Sequence, residues 1–195
     1  MNRHAPFPAA LAFALTAMAG TPASALNTSK DWDGSEDVTR FGCPDSTTYG
    51  QVITVGSKNT LNNFGFSWLY VGTSGGSMVV RGEVYAWDGT KATGSALWES
   101  KPRKIAFIDS VFHTETFKTG PLPLTPDAQY VLFASIDKDF DECRNSYALG
   151  WGAVDGSTYK KGYFVYQNNS GNAANWTTET WDGFDLDLAM KAALQ

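Results

Sequence analysis

The sequence predicts an all-β fold, a β-sandwich of jelly-roll type, behind a cleaved N-terminal signal helix. Three observations predict it. Apolar and polar residues alternate over several short runs. Clusters of Gly, Asn, Asp and Ser separate those runs. Outside the N-terminal segment, no helix-period stretch exceeds about one turn.

The N-terminus carries Arg3 and His4, an apolar Ala-rich stretch from Ala9 to Ala19, and then Thr21-Pro22-Ala23-Ser24-Ala25. A basic start, a short apolar run and an Ala-x-Ala-like site are the three parts of a secretory signal peptide. The apolar run is shorter than the roughly 20 residues a membrane span needs. Residues 1–25 are therefore read as the signal and 26–195 as one domain, secreted or periplasmic, with no membrane span in the mature chain. About 170 residues suffice for a single core burying roughly 70% of the unfolded surface.

Within the domain, Phe64, Phe66, Trp68 and Tyr70 fall on one face of a strand. Over 78–87, Met78, Val80, Gly82, Val84 and Ala86 face one way, and Val79, Arg81, Glu83, Tyr85 and Trp87 the other. Residues 130–136 form a near-continuous apolar run, as in a central strand, and 162–166 read as another strand. The last strand is read over 184–192, with Phe184, Leu186, Leu188 and Met190 inward and Asp185, Asp187 and Lys191 outward. Turns are expected at Gly72–Gly76, Asp88-Gly89, Asn168–Asn172 and Asp182-Gly183. Pro121, Pro123 and Pro126 restrict their segment to an edge or a connector. Trp-Asp-Gly recurs at 32–34, 87–89 and 181–183 with irregular spacing, which excludes a regular repeat array.

The whole chain has 15 Lys and Arg against 20 Asp and Glu, a formal charge of −5. Loss of Arg3 takes the mature domain to about −6. That excess argues against nucleic acid, whose phosphates demand a basic patch. Lys101-Pro102-Arg103-Lys104 is the one basic run and reads as a solvated loop. Cys43 and Cys143 form an even pair, which in an exported protein points to a disulfide closing about 100 residues. With His113 as the sole mature histidine and no Cys-x-x-Cys, a zinc site is set aside.

No catalytic constellation emerges. Gly72-Thr73-Ser74-Gly75-Gly76 matches the Gly-x-Ser-x-Gly pattern, but that chemistry requires a strand-to-helix turn, and strands lie on both sides here. Glu83, Glu99 and Glu115 sit in predicted strands, where a carboxylate pair for glycoside hydrolysis would have to lie. Asp137, Asp139 and Asp141 alternate like the start of a calcium loop. Glu142 and Ala148 occupy the positions where an EF-hand needs Gly and Glu, leaving only a weak calcium site of another geometry. Trp151, Tyr163, Trp176 and Trp181, beside Asn168, Asn169, Asn172 and Asp182, are the candidate sugar-stacking platform. Arg81, Glu83 and Tyr85 form a second polar-aromatic face.

Four segments carry a family resemblance: Phe41 to Gln51, Val84 to Gly94, Gln129 to Phe133, and Trp176-Thr177-Thr178 with Trp181-Asp182-Gly183. The chain resembles secreted bacterial jelly-roll-like domains of the kind often found upstream of a PEP-type C-terminal sorting signal, over nearly all of the mature part. The resemblance implies an extracellular sandwich and supplies no catalytic residue. The sorting signal itself is absent here, and Cys43 lies inside the first of these segments. The functional expectation is an exported, non-enzymatic binding or matrix-associated domain with extracellular glycan as its partner. The rivals are a structural protein of the envelope and a glycan-acting hydrolase. Burial of the tryptophans, and the placement of the carboxylates, discriminate among the three.

Overall fold

The computed structural model describes residues 24–42, 46–71, 76–106, 109–142 and 148–195. Two seven-stranded sheets pack face to face as a β-sandwich. The first sheet is built on β1 (Ser24–Asn27), β14 (Met190–Leu194), β4 (Thr60–Val71), β10 (Ala148–Asp155) and β13 (Leu186–Leu188), in that order. β8 (His113–Pro123) adds to β4, and β2 (Asp37–Gly42) adds to β10. The second sheet runs β12 (Asp182–Phe184), β11 (Phe164–Gln167), β3 (Thr48–Thr54), β9 (Gln129–Ser135), β5 (Ser77–Trp87) and β6 (Ala92–Glu99). β7 (Arg103–Ala106) pairs with the other half of β5. These ladders are all antiparallel. The one helix among the described residues is the single turn α1 (Asn175–Thr178); two 3₁₀ segments lie at Thr28–Lys30 and Asp137–Glu142.

The alternation read in β4 holds: Phe64, Phe66, Trp68 and Tyr70 are all buried in the inter-sheet core. From the second sheet, Tyr49, Ile53, Val80, Val84, Leu132 and Phe164 meet them. Gly82 stands where β5 passes the β8 ring of Phe117, and a Cβ there would lie 2.5 Å from that ring. The Pro121–Pro123 stretch belongs to β8, which pairs with β4 alone and so needs no second ladder.

β1 begins at Ser24 and pairs with β14 from Ser24↔Leu194 to Asn27↔Lys191. Cleavage after Ala25 would leave Leu26 and Asn27 in that ladder. Cys43 and Cys143 lie outside the described residues. Their flanking strands are register partners, Gly42 opposite Ala148.

Two expectations are corrected. Residues 184–192 are not one strand: the chain leaves the second sheet after Phe184 and enters the first as β13 and β14. The crossing inverts the expected facing at its start, so Phe184 is 55% exposed and Asp187 is 0% exposed. The Asp187 carboxylate is satisfied inside by Gln51 Nε2 at 2.7 Å and the Tyr159 N–H at 2.7 Å. Asp182-Gly183 is strand, not turn. The outer face of the second sheet is not solvated throughout. Residues 173–181 fold over it, and Tyr85, Trp87, Phe133, Trp176 and Trp181 form a second apolar cluster there.

Candidate functional site

The four rings expected to form a stacking platform are distributed elsewhere. Trp151 is fully buried at the centre of the main core, 4.8 Å from Phe66, 5.0 Å from Trp68 and 5.0 Å from Phe41. Trp176 and Trp181 are buried in the second cluster. Their indole N–H groups donate to Asp137 Oδ2 at 2.7 Å and to the Trp176 carbonyl at 2.9 Å. The platform of sequence analysis is therefore not formed by these tryptophans: each fills a gap that smaller side chains would leave void. Tyr163 alone remains part-exposed. Its hydroxyl accepts from Trp87 Nε1 and donates to the Gly89 carbonyl, both at 3.1 Å. With Phe184, Lys160 and Asp185 it borders a shallow concavity. Phe184 there stacks on Tyr166 at 5.5 Å and 13°.

Two of the three expected calcium ligands, Asp137 and Asp139, have protein partners. Asp137 is buried and receives Thr48 Oγ1 at 2.8 Å as well as Trp176. Asp139 is held by Arg81, with Nε to Oδ2 at 2.7 Å. Two carboxylates engaged with different partners leave no shared oxygen cage. Among the described residues no acidic or metal-ligating group of three converges; the Asp141 side chain lies outside them.

Arg81, Glu83 and Tyr85 come together as expected, but in a packed network rather than an open face. Tyr85 is in the second apolar cluster. Arg81 bridges Asp139 and Glu99, the latter at 2.8 Å. Lys138 Nζ lies 2.9 Å from Glu83 and 2.6 Å from Glu99, over the Trp176 ring. Glu83 is fully buried, and its Oε2 meets no donor. Desolvation pushes its carboxyl up to about 7, against the opposing pull of Lys138. At Glu99 burial acts the same way, but hydrogen bonds and charge from Lys138 and Arg81 outweigh it and hold that carboxyl below its usual range. Two carboxyls driven apart in this way resemble an acid–base pair. Glu83 has no route to a substrate, however, and both share one ammonium. The network is therefore a structural tie between β5, β6 and the Asp137–Glu142 segment.

The open chemistry lies on the seam where β7, at one side of the second sheet, faces β8 of the first. Two cavities adjoin there, with Lys104 lining both. One, of about 380 Å³, is walled by Trp68, Tyr70 and Ile105 and rimmed by Asp109, His113 and Glu115. Trp68 is 2% exposed, and among the described residues its indole N–H, like that of Trp151, has no acceptor, an arrangement that costs stability. Asp109 accepts from His113 Nε2 at 2.7 Å, and that bond holds its carboxyl below the usual range. The other cavity, about 620 Å³, is walled by Trp98 and Phe117 and rimmed by Lys101, Arg103 and Lys118. Arg103 stands between them. It bonds Glu115 at 2.9 Å and the Thr116 carbonyl at 3.0 Å, with its guanidinium 5.0 Å over Phe117. Sequence reading missed Trp68, Trp98 and Lys118 as site residues. Each lies within a strand, where alternation alone does not separate a site residue from core or from a solvated face.

Comparison with known proteins finds no family model, no curated protein and no solved structure that matches this chain. Among the described residues no helix is long and apolar enough to cross a membrane.

Proposed function

We propose that this chain is an exported, non-enzymatic binding domain for an extracellular polysaccharide, held along the β7–β8 seam. The observation that carries the reading is the pair of neighbouring cavities with polar rims, one of them walled by the part-exposed ring of Trp98. A sugar offers a C–H face to an aromatic wall and hydroxyls to planar polar groups. Two neighbouring cavities of this lining suit such a polymer better than a compact apolar ligand. Hydrolysis is not supported, because Glu83, the raised carboxyl of the close Glu83–Glu99 pair, is fully buried behind Lys138.

The test is retention of the protein in native gels containing a panel of soluble polysaccharides, with the Trp98→Ala variant alongside. Retardation by at least one polymer, weakened in the variant while its melting curve stays cooperative, supports the reading. Free migration through every polymer refutes it. A second reading, a structural protein of the envelope, is favoured by the exposed Phe184 on the edge strand β12. It predicts retention by envelope protein fractions that Phe184→Ala abolishes.

A further inference from the structure

Resting on the polysaccharide reading, we infer that the seam takes an anionic polysaccharide bearing uronate-type carboxylates, with the charged sugar in the lysine-rimmed cavity beside Trp98. The chain is acidic overall, 15 basic residues against 20 acidic. Yet Lys101, Lys104 and Lys118 converge on one concavity from both sheets and have no acidic partner among the described residues. The acids that border this cavity or its neighbour are already engaged. Glu99 is held by Arg81 and Lys138, and Glu115 by Arg103.

The three lysines are exposed and border one concavity, so an anion entering it meets positive charge from more than one side. Lysine suits this role, since each carries three donors on a flexible stem and adapts to carboxylates spaced along a chain. Trp98 supplies the wall on which the ring of the same sugar lies.

The neighbouring cavity gives the seam a direction. Asp109 and Glu115 rim it beside His113 and Lys104, each acid already paired with a base, so it offers hydroxyl acceptors with less unpaired positive charge than the lysine side. A polymer crossing the Arg103 bridge therefore places a charged residue on the lysine side and an uncharged face on the Trp68 side. Nucleic acid fits this poorly, because its phosphates recur at every nucleotide while the unpaired lysines are confined to one of the two cavities.

The experiment titrates the mature chain with polygalacturonate, neutral dextran and single-stranded DNA, at low and at physiological salt. The Lys101→Glu/Lys104→Glu/Lys118→Glu variant runs in parallel, with melting as the folding control. Lys118→Gln serves as a milder single change at an exposed site. The expected result is preference for polygalacturonate, with affinity falling by about tenfold or more on charge reversal and weakening as the Debye length shortens to about 8 Å. Equal binding of dextran, unchanged in the lysine variants, overturns the anionic inference and leaves the polysaccharide reading intact. Binding of neither polysaccharide removes both. DNA binding as tight as polygalacturonate binding also overturns it, since the seam would then be a general polyanion site.

Discussion

Glu83 makes folding stability depend on pH in a calculable direction. Its carboxyl is raised from 4.5 to about 7 in the folded chain. The folded state therefore keeps this proton over a range where the unfolded chain has lost it. The stabilisation from the proton is complete below about pH 4.5, fades as pH rises, and is gone above about 7. At roughly 1.4 kcal/mol for each tenfold in proton affinity, the loss over that window is about 3 kcal/mol. Glu83→Gln removes the titration and keeps an oxygen for Lys138. Its amide nitrogen replaces an atom that has no partner now, a pH-independent penalty of about 1–3 kcal/mol. Urea unfolding of both proteins at pH 5, 6, 7 and 8 measures the difference directly, and titrating groups remote from this network cancel in it. The variant should gain on the parent by about 2.5 kcal/mol between pH 5 and pH 8. Parallel stability curves would show that Glu83 titrates normally and that its burial does not govern its proton.

Removal of Lys138 as Met should destabilise the domain by about 3–5 kcal/mol at pH 8, because it strands a buried carboxylate, and by much less at pH 5; chemical denaturation at the two pH values checks this. Trp176→Ala and Trp181→Ala should each cost about 3–5 kcal/mol as core aromatics, read as a fall in melting temperature. Calcium should leave the melting temperature unchanged, since Asp137 and Asp139 are committed to Trp176 and Arg81; a clear rise would contradict this assignment. Exported protein should begin at Leu26, and its intact mass should be two hydrogens below the dithiol form if Cys43 and Cys143 are joined. A loop of about 100 residues makes that bond worth roughly 4–5 kcal/mol, and two alkylatable thiols in native protein would exclude it.

What the sequence determined by itself is the β-sandwich and most of its core. The period-two alternation of Phe64 to Tyr70 and Met78 to Val84 is local, because successive Cβ atoms must point to opposite faces of a strand. Only the tertiary structure decided which faces stay wet. Alternation assigns Arg81, Glu83, Tyr85 and Trp87 to one side of β5, but says nothing of a segment ninety residues on folding over that side. Trp176 and Trp181 therefore became packing, Glu83 a sealed acid, and Asp137 and Asp139 partners of an indole and a guanidinium rather than a calcium cage. The seam was equally hidden. Lys101 and Lys104 read as a loop, and only the juxtaposition of β7 with β8 brings Lys118 to the same cavity. Burial and charge pairing are sums over neighbours distant in sequence, and the chain's local pattern carries no record of which neighbours those are.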